Sequence, residues 1–143
     1  MSGSFKKIFV PIFFGIAACS WMPHWSCHYY RLETGSSFVV GNLNFSIFDS
    51  LLSMFLYSIL IIGNIISISY SKFRFVFALS SGILHISLGI IHIIRLIAPF
   101  NFEVFGLEWP MASSLREIII VFPFGILCIA MAVKLNKKAN SYL

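Results

Sequence analysis

Two windows of the chain, residues 50–69 and 75–94, run without a charged side chain. At about 1.5 Å of rise per residue, each is long enough as a helix to cross about 30 Å of hydrocarbon. Residues 118–133 form a third uncharged run, which reaches that length once Leu115 joins it and Arg116 and Glu117 sit at the interface. Residues 8–22 form a fourth, extended to Phe5 as Lys6 and Lys7 snorkel toward the headgroups. The pattern predicts an all-α integral membrane protein, a four-transmembrane-helix bundle in a single domain. Its helices fall near residues 5–22, 48–70, 74–97 and 114–134, with longer connections at 23–47 and 98–113. The first window also reads as a signal peptide, and Ile16-Ala17-Ala18-Cys19 looks like a bacterial lipobox. The apolar run continues through Trp21 and Met22 to Pro23, which favours a retained helix.

Composition points the same way. Hydrophobic side chains make up 59% of the 143 residues and charged ones 10%, against roughly a quarter charged in an ordinary soluble domain. Disordered chains, collagen-like chains and conventional soluble enzymes are excluded. The net charge of +5 comes from ten Lys and Arg against five acids. These basic residues stand in small groups between apolar runs, so they read as topology signals rather than a nucleic-acid-binding face. Lys6, Lys7, Lys72, Arg74, Lys134, Lys137 and Lys138 fall on one side of the membrane. Arg31, Arg95, Arg116 and all the acids (Glu33, Asp49, Glu103, Glu108, Glu117) fall on the other. The positive-inside bias then places both termini in the cytoplasm, and the composition suits a bacterial cytoplasmic (inner) membrane.

The two outer connections differ. In the first, Trp25, Tyr29 and Tyr30 join Trp21 in an interfacial aromatic belt. Its second half sets β-branched and aromatic residues on both sides of Gly41-Asn42, which allows a short β-hairpin. The second interleaves Phe100, Phe102, Phe105, Leu107 and Trp109 with Asn101, Glu103 and Glu108, and reads as an interfacial segment along the outer surface. Nothing along the chain reads as an internal repeat. Cys19, Cys27 and Cys128 form no metal-binding spacing; Cys128 is expected as a buried thiol, and a Cys19–Cys27 bridge stays open.

Two helix starts carry capping strings. Ser46-Ile47-Phe48-Asp49 and Ser114-Leu115-Arg116-Glu117 each place an acid three residues after a serine, where both can satisfy orphan amides. The structural polar residues expected are Tyr57, Asn64, Arg95, Ser114 and Glu117. In the third helix, Ala78, Gly82, His85, Gly89 and His92 share one stripe, small enough for another helix to approach closely. The second helix is the expected partner, with Tyr57 facing His85 and Asn64 facing Ser81. An Asp49–Arg95 ion pair closes the outer end.

Imidazoles inside a membrane must be used or satisfied. Bonding within the seam satisfies them, and no cofactor is then expected. The alternative makes His85 and His92 cofactor ligands for haem b, or sets copper or zinc between His24, His28, His92 and Asp49 near the outer face. Nucleophile-elbow and phosphate-loop motifs are missing. The leading expectation is therefore a small non-enzymatic accessory or assembly subunit, or an immunity-type partner, of a larger envelope protein. It would meet lipid and either that partner or copies of itself, and no nucleic acid. A redox or metal-binding protein is the second reading, and an oligomeric transporter or channel the third.

Overall fold

The structure, a computed structural model, describes residues 3–104 and 107–140, with side chains for 8–104 and 107–136. The side chains of Lys6, Lys7, Lys137 and Lys138, and all of Phe105, lie outside those residues. The elements in chain order are α1 (Gly3–Cys19), α2 (Met22–Thr34), β1 (Phe38–Val40), β2 (Leu43–Asn44), α3 (Ile47–Ser69), α4 (Ser71–Ile97), β3 (Phe102–Val104), β4 (Leu107–Glu108) and α5 (Met111–Asn140). Four stretches are long and apolar enough to cross a membrane: Ile8–Thr34, Ile47–Ser69, Ser71–Ile97 and Met111–Asn136.

The first of these is a broken helix. The Ser20 hydroxyl donates to the Ala17 carbonyl at 2.9 Å, and the Trp21 amide reaches Ala18 at 3.3 Å, a tightened last turn. Pro23 then opens α2, where its missing N–H costs nothing. Residues 23–34, expected as loop, are therefore helix. Their polar side chains mask the continuation in a hydropathy window. Gly35 ends α2 in the left-handed conformation (φ 65), its amide on the Arg31 carbonyl at 2.8 Å.

Helix α3 starts on the expected capping box. The Ser46 hydroxyl accepts from the Asp49 amide, and the Asp49 carboxylate accepts from the Ser46 amide at 2.7 Å. Tyr70 alone separates α3 from α4, and Arg74 caps the outgoing helix by donating to the Ser67 and Ile68 carbonyls, each at 2.8 Å. Helix α5 begins at Met111, three residues before the expected start, because Pro110 supplies its first turn. Ser114 therefore lies inside the helix and forms no capping box with Glu117.

Strands β1 and β2 pair antiparallel, as do β3 and β4, and β1 pairs with β3 to complete a four-stranded sheet of order β2-β1-β3-β4. The second connection is thus partly strand, where an interfacial segment was expected. The Ser37 hydroxyl donates to Glu103 across the central pair.

The chain also contains an internal repeat, against the expectation from the sequence. His28 and His92, Arg31 and Arg95, Phe38 and Phe102, Val40 and Val104, and Ser50 and Ser114 each stand a constant 64 positions apart (28 to 92, 50 to 114). The sheet is centred on the same symmetry. Phe38 pairs with Val104, Val40 with Phe102, and Val39 with Glu103 at the middle. A local two-fold axis therefore runs through the sheet, relating β1 and β2 to β3 and β4. The same offset sets α2 and α3 against the second half of α4 and α5 in sequence, although α3 packs on α4 where α2 and α5 do not pack directly.

The α4 glycine stripe packs on α5, not on the second helix as expected. A Cβ at Gly82 would sit 2.7 Å from the Ile129 side chain and 3.0 Å from the Gly125 carbonyl; one at Gly89 would sit 2.8 Å from Phe122. Helix α3 meets α4 elsewhere, with Gly63 against the Phe77 ring and Asn64 donating to Ser81 at 3.0 Å, the pairing expected from the sequence. Toward the chain termini, Phe13 and Phe14 of α1 join Ala78 of α4 and Cys128, Met131 and Ala132 of α5 in an apolar core.

Candidate functional site

Each half carries a buried arginine at the sheet end. In the first half, Arg31 donates through Nε to the Ser36 carbonyl at 3.0 Å, through Nη2 to the Phe45 carbonyl, and through Nη1 to the Ser50 hydroxyl at 2.5 Å and the Ser46 carbonyl at 2.8 Å. In the second half, Arg95 donates through Nε to the Phe100 carbonyl at 3.2 Å, through Nη2 to the Trp109 carbonyl at 2.5 Å and through Nη1 to the Ser114 hydroxyl at 2.9 Å. Three of these partners repeat position for position, and the Ser46 carbonyl is an additional acceptor for Arg31. A planar guanidinium with five fixed donors can satisfy several converging loop carbonyls at once, which an ammonium cannot. Each arginine thus pins a hairpin to its helices. The expected Asp49–Arg95 pair does not form: Asp49 is held by Ser46, and Arg95 by the carbonyls and hydroxyl above. Arg116 pairs with the neighbouring Glu117 at 3.4 Å.

The serines carry the order one step further. The Ser50 hydroxyl meets Nδ1 of His28 at 3.0 Å, and the Ser114 hydroxyl meets Nδ1 of His92 at 3.1 Å. Each hydroxyl accepts from a guanidinium. When its own hydrogen goes to Nδ1, the ring hydrogen sits on Nε2, the edge turned away from the serine; the opposite tautomer donates from Nδ1 to the hydroxyl.

Both imidazoles line a pocket of about 590 Å³ near the sheet end. All four histidines reach it, as do Tyr57 and Cys27. Phe38 and Phe102 line it under the sheet, their centroids 6.2 Å apart. His85 lines it as well, with Trp21, again 64 positions away, packed against the imidazole at 4.0 Å. Helices α4 and α5, and α1 and α2 with α3, pack directly. Helices α2 and α5 instead face each other across the pocket, with His24 and Cys27 on one side and Arg116, Glu117 and Ile120 on the other.

Trp21 does not belong to an interfacial belt. It is fully buried, stacks on Tyr57 with centroids 5.5 Å apart, and donates from Nε1 to Ser81 at 3.2 Å. It thereby occupies the place between Tyr57 and His85, which were expected to bond to each other. His85 is 1% exposed, and its Nδ1 donates to the Ser81 carbonyl at 2.6 Å. Its Nε2 is therefore a lone-pair acceptor, and it is buried with no partner. Trp109 Nε1, a donor, is likewise buried and unpartnered. Both residues line the pocket. Buried orphans of this kind cost on the order of 1–3 kcal/mol each, and two around one cavity mark a place where a ligand would restore bonds.

Of the candidate metal ligands, the structure brings His24, His28 and His92 to the pocket and leaves Asp49 at its helix cap. Among the described residues no three His, Cys, Asp or Glu side chains are grouped so as to hold a metal ion. Cys19, Cys27 and Cys128 are free thiols. Sequence reading missed Arg31, Ser50, Trp21 and Trp109 as site residues; the 64-residue offset was the signal for Arg31 and Ser50, whereas Trp21 and Trp109 have no identical counterpart at that offset. The chain matches no protein-family model, no curated protein and no solved structure.

Proposed function

We propose that this is a non-enzymatic integral membrane protein whose pocket receives a small amphipathic ligand from the bilayer, and that it serves as an accessory or assembly subunit of a larger envelope complex. The observation that carries the ligand reading is the convergence of four histidines, Tyr57 and two unpartnered buried polar atoms on one cavity of about 590 Å³. That size and mixed lining suit a small-molecule site. The separation of α2 from α5 favours lateral access from lipid. In the proposed orientation both termini are cytoplasmic in a bacterial inner membrane, and the pocket lies in the outer leaflet. Lys72 and Arg74 at the α3–α4 turn, and Glu103 and Glu108 on the sheet, support it. Tyr29 and Tyr30, both exposed on α2, offer surface to a protein partner or a second copy.

Native mass spectrometry of protein taken from its own membranes tests the ligand reading. The wild type should carry a small molecule, and Val121→Trp, which fills the pocket from α5, should lose it while keeping its fold. Identical bare masses for the two would count against a binding role. A haem reading keeps one support, that imidazoles held through Nδ1 are the usual form of axial ligands. A Soret band in the native protein would favour it.

A further inference from the structure

The 64-residue repeat has a chemical counterpart at the pocket. His28 and His92 approach the cavity from opposite halves, each anchored through Nδ1 to a serine that is itself held by an arginine. In the tautomer in which the hydroxyls donate to Nδ1, both rings present an Nε2–H donor. A cavity flanked by two such donors is complementary to a flat molecule with two acceptors on opposite sides. Resting on the pocket reading above, we infer that the ligand is a para-quinone with an isoprenoid tail, its two ring carbonyls accepting hydrogen bonds from His28 and His92.

Three further features fit this chemistry. The lining is rich in rings, Phe38 with Phe102, Tyr57, His85, Trp109 and Phe124, and Trp21 stacks on Tyr57 and against His85 behind it. Flat rings favour such surroundings. The Lys, Arg, Asp and Glu side chains of the lining are one of each sign, Arg116 and Glu117, already paired at 3.4 Å. That balance suits a neutral head group better than haem, whose two propionates bring two negative charges. The gap between α2 and α5 gives an apolar tail a way out into lipid, with Ile16 and Ile120 on its two sides.

The test is quenching of the protein's tryptophans, of which Trp109 lines the cavity and Trp21 packs against the lining residue His85, by decylubiquinone in lipid nanodiscs. Decylbenzene, with the same tail and no carbonyls, serves as the comparison. Saturable quenching by the quinone is expected, with His28→Phe and His92→Phe each weakening it roughly 3- to 10-fold, the worth of one hydrogen bond. His92→Gln returns an N–H near the Nε2 position and should recover most of the loss; it also serves if His92→Phe fails to fold. Equal binding of quinone and decylbenzene, unchanged in the histidine variants, would overturn the quinone assignment and leave the pocket reading standing. Hemin binding with a Soret band lost in His28→Phe would overturn it in favour of haem. If neither probe binds and Val121→Trp behaves as wild type, the pocket reading falls and this inference with it.

Discussion

Arg31 and Arg95, 64 positions apart, make the same bonds in the two halves: Nε to the carbonyl five residues on, Nη2 to the carbonyl fourteen on, and Nη1 to the hydroxyl nineteen on. An arginine buried without a carboxylate is costly in lipid. Here it is tolerated because several carbonyls of the hairpin would themselves be orphaned without it. Arginine and hairpin satisfy each other.

Removing either arginine should therefore be severe. Arg95→Ala is expected to lose roughly 2–4 kcal/mol of stability, and Arg31→Ala a similar amount, since each leaves at least two buried acceptors unmet. Arg95→Lys should recover only part, because an ammonium cannot reach the Phe100 and Trp109 carbonyls together. Thermal unfolding in detergent measures all three.

The serines should behave as a matched pair. Ser50→Ala and Ser114→Ala each remove an acceptor from a guanidinium and the anchor of an imidazole, for about 1–3 kcal/mol. The two sites share no partner, so the double variant should be close to the sum of the singles. A marked difference between the two would show that the repeat is geometric only.

Close approach at Gly63 gives a prediction with its own rescue. A Cβ there would lie 1.9 Å from the Phe77 ring, so Gly63→Ala should cost roughly 1–3 kcal/mol through overpacking. Adding Phe77→Leu removes the obstruction and should return most of that. Gly15→Ala meets nothing within 4 Å and should be neutral or slightly stabilising, since Ala is the better helix former. Melting temperatures of the four proteins decide it.

Asp49 separates capping from binding. Asp49→Ala removes half of the capping box and should cost about 0.5–2 kcal/mol. It should leave decylubiquinone affinity within error of wild type, because the carboxylate bonds to Ser46 rather than to the pocket. A strong loss of affinity would return Asp49 to the site.

The spans were legible because membrane thickness fixes their length and the charges bracket them. The Ser46–Asp49 box and the Asn64–Ser81 bond were legible for local reasons, one a four-residue string, the other a matter of depth along facing helices. The same string at Ser114–Glu117 misled, because Pro110 starts the helix three residues earlier and turns Ser114 toward Arg95. Helix α2 was hidden by its polar residues, His24, His28 and Arg31, which hydropathy reads as loop and which the pocket and hairpin require. The site was hidden for a related reason. Its two halves share only scattered residues, and those recur at a spacing longer than any helix or strand period. Trp21 opposite His85 shows the difficulty: equivalent in place, they differ in chemistry.

The central claim is a ligand held between the two halves. Cryo-electron microscopy of the protein in nanodiscs formed from its native membranes, enlarged with a bound antibody fragment, tests it most directly. The account predicts density between the Trp21–His85 and Phe38–Phe102 ring pairs, in reach of Nε2 of both His28 and His92. A cavity closed by α2 packing directly on α5, with no room left between those rings, would contradict it.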